Sequence, residues 1–200
     1  MALYNLDIML WMSEKRIIFA ADINNYIIKM ENKATTIRLY SLGWNEIRTY
    51  MFALLFIAGN ILLPQLCHLF PQGGLILLPI YFFTLIAAYK FGFRVGLLSA
   101  VLSPIINSAL FGMPAAAVLP IIMIKGVLLA CAAAWMANKS KGASLLALIA
   151  IVLAYQLVGG LIEWAITGSI TSAVQDWKLG WPGMVLQALG GWLILNHLCR

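Results

Sequence analysis

Residues Pro114–Met136 read PAAAVLPIIMIKGVLLACAAAWM, more than twenty positions, nearly all apolar, with a single cation at Lys125. At about 1.5 Å of rise per residue, such a run crosses a hydrocarbon core of about 30 Å as one helix. An ammonium at that depth costs roughly 2.5–3.5 kcal/mol on insertion scales unless a polar partner receives it. The stretch therefore predicts a membrane-spanning helix, and it raises the question of what surrounds Lys125.

The composition agrees with that reading. Of 200 residues, 63% are hydrophobic and only 10% charged, against about 25% charged in soluble domains. The net charge of +6 does not point to nucleic acid. Its cations flank apolar runs instead of forming a basic patch interleaved with polar residues. Cys67, Cys131 and Cys199 lie far apart with no C-x-x-C spacing. They read as small apolar residues, with neither a disulfide frame nor a metal site expected.

Outward from the central run, the sequence divides at about residue 48. Residues 1–48 are the polar part, holding Asp7, Glu14, Lys15, Arg16, Asp22, Lys29, Glu31, Lys33, Arg38, Glu46 and Arg48. Acids interrupt its short apolar pieces, so it reads as neither a secretory signal nor an anchor. Met30 opens a more conventional leader, and residues 1–29 read as an over-extended start. Residues 39–48, with Leu42, Trp44, Ile47 and Arg48, are expected to form an interfacial helix entering the membrane.

Residues 49–200 contain six apolar runs: Thr49–Leu66, Leu75–Tyr89, Val95–Gly112, Pro114–Met136, Ala143–Ile166 and Pro182–Leu198. The expected fold is an all-α integral membrane protein of six transmembrane helices joined by Gly- and Pro-punctuated turns. Of the connections, only Thr167–Trp181 is long enough to fold over a face of the bundle. With a cytoplasmic N-terminus, and setting residues 1–29 aside, the inner side holds eight cations: Lys33, Arg38, Arg48, Lys90, Arg94, Lys139, Lys141 and Arg200. The outer loops hold Lys178 alone. This positive-inside asymmetry places both termini in the cytoplasm, with Trp44, Trp177 and Trp181 at the interfaces.

Placed by depth on those helices, Asn60, Gln65, Asn107, Lys125, Gln156, Glu163 and Gln187 gather at or outside mid-membrane on five of them. Such groups normally face the protein interior or a wet cavity. Gln156 and Glu163, seven apart, share one helix face. Two readings stay open: a ligand pocket open to the outside, or a buried Lys125–Glu163 ion pair with the amides as interhelical glue. Small residues at Gly126, Ala130 and Ala134 recur every four positions and favour close helix packing. Ala53, Ala58 and Gly59 offer a looser small-residue surface suited to a partner.

The chemistry of an enzyme is not expected. The sequence has no Walker A motif, no H-E-x-x-H and no G-x-S-x-G. His68 and His197 fall at opposite membrane faces, and no cofactor or metal is implied. Six spans without a detectable repeat are few for a self-sufficient secondary transporter, which usually pairs two repeats.

Residues 72–137 resemble the substrate-binding S components of energy-coupling-factor (ECF) vitamin transporters. The pieces that carry the resemblance are Leu78–Pro79 at the head of a short second span and the Lys90–Gly92–Arg94–Gly96 turn. Leu102–Ser103–Pro104, Gly112–Met113–Pro114 and Leu119–Pro120 complete the set. The resemblance implies a six-helix subunit in the bacterial cytoplasmic membrane that captures a vitamin or its precursor from outside. It implies docking on a transmembrane coupling protein that works with two cytoplasmic ATPases. It also implies ligand contacts from Lys125, Gln156, Glu163 and Gln187, with Asn107 and Asn60 nearby and His68 and Gln72 in a gating loop. Many S components carry Ala-x-x-x-Ala on the first helix as a coupling surface. Here Ala53 is followed four positions later by Ile57, which leaves Ala53 and Ala58 as the candidates. A lone lysine favours a carboxylate or phosphate on the ligand, and Glu163 a donor or cation. Pantothenate-like and lipoate-like acids, pyrimidine or thiamin precursors and deazapurines all stay open. The alternative is a non-transporting scaffold similar to the rod-shape-determining membrane proteins.

Overall fold

The structure, a computed structural model, describes residues 18, 21–22, 39–69, 71–140 and 142–198. The chain divides into two units, Met1–Ala34 and Thr35–Arg200. Of the first, residues 18 and 21–22 are helical and exposed. The expected over-extended start and the cations Lys15, Arg16, Lys29, Lys33, Arg38, Lys141 and Arg200 lie outside the described residues.

The second unit is helical. Numbered from Ile47, its helices are α1 (Ile47–Cys67), α2 (Gly73–Leu77), α3 (Phe82–Phe91) and α4 (Phe93–Phe111). They continue as α5 (Leu119–Lys139), α6 (Leu145–Thr167), α7 (Ile170–Ala173), α8 (Gln175–Lys178) and α9 (Trp181–Leu193). Four of them, α1, α4, α5 and α6, are long and apolar enough to cross a membrane. They turn Leu54, Leu62, Leu110, Leu157 and Leu161 outward, exposed. So much leucine on the outside of long helices is a surface for hydrocarbon, not water. Four helices of this length and composition suggest a membrane protein.

The other two apolar runs do not form single long helices. The second is broken at Leu78, whose φ of 47° is left-handed, between α2 and the 3₁₀ turn Pro79–Tyr81. Pro79 cannot donate a backbone hydrogen bond, and it disfavours the α conformation in the residue before it. The helix therefore restarts only after the proline. The sixth is α9, which loosens into π geometry over Ile194–Leu198.

The short α3 is the centre of the bundle. It packs against α1, α4, α5 and α9, and Leu85, Ile86, Ala87, Ala88 and Tyr89 are buried on all its sides. A helix apolar all round belongs inside other helices, which is where the thirteen residues from Pro79 lie.

The helix expected over residues 39–48 begins instead at Ile47; residues 39–46 run as a non-helical strap along the end of α3. The Tyr40 and Leu42 N–H groups donate to the Lys90 and Phe91 carbonyls, and Arg94 donates to the Leu42 carbonyl at 2.9 Å. Those bonds hold the strap's backbone in place of a helical ladder. At this end of the bundle Lys90 lies over the Tyr40 ring, Arg94 over Trp44 and Lys139 over Trp135. The opposite end carries the connections after α1, α4 and α6.

Candidate functional site

Lys125 lies in the second turn of α5 and Glu163 in the last turn but one of antiparallel α6. The Lys125 stem crosses α6 over Gly159. A Cβ at position 159 would stand 2.6 Å from Lys125 Cγ, so only glycine leaves the stem this path. The ammonium then donates to Glu163 Oε2 at 2.6 Å and to Asp176 Oδ2 at 2.7 Å. Asp176 comes from α8, in the long connection between α6 and α9.

That connection folds back onto the bundle. Ser172 donates to Glu163 Oε1 at 2.7 Å, and Ala173 is buried, its carbonyl 3.2 Å from where a Gly160 Cβ would be. The side chains of Lys125, Glu163 and Asp176 keep 4%, 11% and 16% of their surface. Charge-assisted bonds this short are the strong kind. They offset a desolvation cost of several kcal/mol per buried ion.

Deeper on the same face of α6 is a neutral cluster. Tyr155 donates to Gln187 Oε1 at 2.9 Å, and Gln156 Nε2 donates to the Tyr155 hydroxyl at 3.2 Å. Gln187 Nε2 reaches the carbonyl of Leu78, the residue at the break of the second run, at 3.4 Å. Tyr81 stacks at a tilt on Tyr155, ring centroids 5.4 Å apart. Gln156 Oε1 is buried without a hydrogen-bond donor among the described residues.

Of the predicted residues, the structure pairs Lys125 with Glu163 and, separately, links Gln156 to Gln187 through Tyr155; no hydrogen bond joins the two groups among the described residues. Asn60 belongs elsewhere. Its Nδ2 lies within hydrogen-bond reach of Thr84, Ser99 and Ser103, and its Oδ1 accepts from the Phe83 N–H, tying α1 to α3 and α4. Asn107 accepts from Gln65 Nε2 at 3.0 Å. With His68 and Gln72, Asn107 lines a cavity of about 350 Å³ whose wall runs through Pro79, Pro114 and Ile122. Lys125 is not part of that lining; its ammonium is closed off by two carboxylates where an open hollow was expected. Gln72, like Leu78, is left-handed, with φ of 58°. Ala53 is buried while Ala58 is exposed. Five positions separate them, and at 3.6 residues per turn they cannot share a face.

Sequence reasoning missed Asp176, Ser172, Tyr155 and Tyr81. One signal for Asp176 existed: after Glu46 the only acids in the chain are Glu163 and Asp176. No group of three His, Cys, Asp or Glu side chains able to hold a metal ion occurs among the described residues.

Comparison with protein-family models, with curated proteins and with solved structures finds no match.

Proposed function

We propose that the chain is the substrate-capture subunit of an energy-coupling-factor-type importer in a bacterial cytoplasmic membrane. In this reading all six apolar runs cross or enter the bilayer, both termini are cytoplasmic, and a vitamin-like molecule enters from outside. A coupling protein and two ATPases then energise its delivery. The observation that carries the reading is the Lys125–Glu163–Asp176 cluster, buried under a folded-back connection at the end opposite Lys90, Arg94 and Lys139. Ionisable groups at such depth are rare unless they serve a ligand or ion. The broken second run beside them is the kind of discontinuity that accompanies binding sites in transporters.

The test is to extract the full chain in detergent, purify it, and identify by mass spectrometry any small molecule released on denaturation. Uptake of that molecule should need the coupling protein and both ATPases, and Lys125→Ala should abolish its retention. A chain that retains nothing, and that co-purifies with cell-wall synthesis proteins, would establish the scaffold reading instead. One observation favours that second reading: both acids already partner Lys125, as a purely structural clamp requires.

A further inference from the structure

The ion cluster does not balance. Lys125 contributes one positive charge, and Glu163 and Asp176 two negative ones. Lys178, the remaining cation on this connection, is exposed and forms no ion pair among the described residues. The helix ends do not make up the difference. Lys125 is near the positive N-terminal end of α5 and Glu163 near the negative C-terminal end of α6, so the two dipoles oppose each other. A surplus of one negative charge in a site this closed is costly until a cation meets it.

The surplus has a location. Glu163 is satisfied at both oxygens, by Lys125 and by Ser172. Asp176 uses Oδ2 for Lys125; its Oδ1 accepts from no described residue and is not a buried atom, so solvent reaches it. Asp176 is also the most open of the three side chains, at 16%. Two turns below Glu163, on the same buried face, the orphan Gln156 Oε1 is a second acceptor without a donor. Both oxygens can accept from N–H or O–H groups, and the outer one, which is not buried, carries the negative charge.

We infer that the molecule taken at this site is a small organic monocation, a protonated amine or amidine carrying no carboxylate or phosphate. Its charged nitrogen meets Asp176, and a neutral donor further along it reaches toward Gln156. This rests on the capture reading and reverses the ligand charge that Lys125 alone would imply, because Lys125 is already outnumbered.

The experiment uses the purified full chain in lipid nanodiscs, as wild type and Asp176→Asn, with three probes matched in size: benzamidinium, benzamide and benzoate. Removing the surplus charge should leave the melting temperature of the probe-free chain unchanged or raised. Benzamidinium should stabilise the wild type more than benzamide or benzoate does. Its binding should weaken about 10- to 100-fold in Asp176→Asn, the loss of one charge-assisted hydrogen bond. A marked fall in melting temperature for Asp176→Asn, or a benzamidinium effect no larger than that of benzoate, overturns the assignment. A preference for benzoate does so while leaving the capture reading standing. No shift with any probe, together with no small molecule released on denaturation, removes both.

Discussion

Gly159→Ala tests whether the path of the Lys125 stem is what holds the site together. The new methyl would sit 2.6 Å from Lys125 Cγ and 3.4 Å from Cδ and Cε. Ordinary carbon–carbon contact is about 3.5–4.0 Å, so the stem must retreat by roughly 1 Å. Retreat is difficult because the far end is pinned at 2.6 Å and 2.7 Å by two carboxylates. Moving the ammonium by that much takes at least one pair beyond hydrogen-bond range. A hydrogen bond to a charged group contributes about 1.5–3 kcal/mol. Against this, alanine is favoured over glycine inside a helix by about 1 kcal/mol. The net expected loss is about 0.5–2 kcal/mol, or a melting temperature lower by roughly 1–8 °C for a chain of this size.

The assay is thermal unfolding in detergent, run as a double-mutant cycle. The second background is Lys125→Met/Glu163→Gln/Asp176→Asn, which removes the charges together, a change that buried ion clusters often tolerate. There the stem is unpinned and can yield, so Gly159→Ala should be neutral or stabilising. The coupling between the two changes should then exceed about 1 kcal/mol, well above the few tenths expected of independent sites. An equal cost in both backgrounds would mean that the methyl harms α6 packing in general and that the ion cluster does not depend on glycine.

Gly183→Ala should be more damaging than Gly159→Ala, because its Cβ would stand 2.4 Å from the Leu77 backbone, which has no flexible end to swing aside; expression and melting temperature report it. Asn60→Leu should lower stability by about 1–3 kcal/mol, the cost of leaving the Phe83 N–H without its acceptor, while leaving small-molecule retention intact. Lys125→Ala should destabilise by about 3–5 kcal/mol through two unpaired buried carboxylates, and Lys125→Met/Glu163→Gln/Asp176→Asn by clearly less in the same melt. A cysteine placed at Lys178 should react with a membrane-impermeant reagent in intact cells, and one placed at Ser140 only after the cells are opened. Labelling of both from one side would refute the alternation of the helices.

Much of the fold could be read from apolar run length. The starts and stops of α1, α4 and α6 fall within two residues of the runs that predict them, because hydrocarbon thickness and helix rise leave little freedom; α5 begins five residues after Pro114 and ends three after Met136. The second run escaped that logic. Its break depends on Leu78 taking a left-handed conformation before Pro79, and apolar periodicity carries no information about a single backbone angle. The site was legible where depth alone decides. Lys125 meets Glu163, and Gln156 meets Gln187 through Tyr155, each within its own group. Depth says nothing of azimuth, which is why Asn60, at a similar level, turns to Thr84 and Ser99 instead. Asp176 was hidden for a third reason: it stands in a connection, and no helical pattern indicates where a connection folds back.

That position of Asp176 matters beyond its charge. The connection between α6 and α9 is fastened to the bundle by Ser172 on Glu163, by Ala173 against Gly160 and by Asp176 on Lys125. Lifting it would break both polar fastenings at once and leave Lys125 paired with Glu163 alone, a balanced site. Closing it restores the surplus negative charge. The closed arrangement is therefore the one that gains most from a cation, and the open one gains least. A ligand shifts a conformational equilibrium only by its differential affinity for the two states. A monocation meeting Asp176 has that difference built in, since the carboxylate it meets travels with the connection. A neutral or anionic ligand bound to Lys125 would instead compete with Asp176 and favour the open form. On the capture reading, the sign of the ligand's charge would decide whether binding closes or opens this end of the bundle, and protease sensitivity of residues 168–180 with each probe bound would report which occurs.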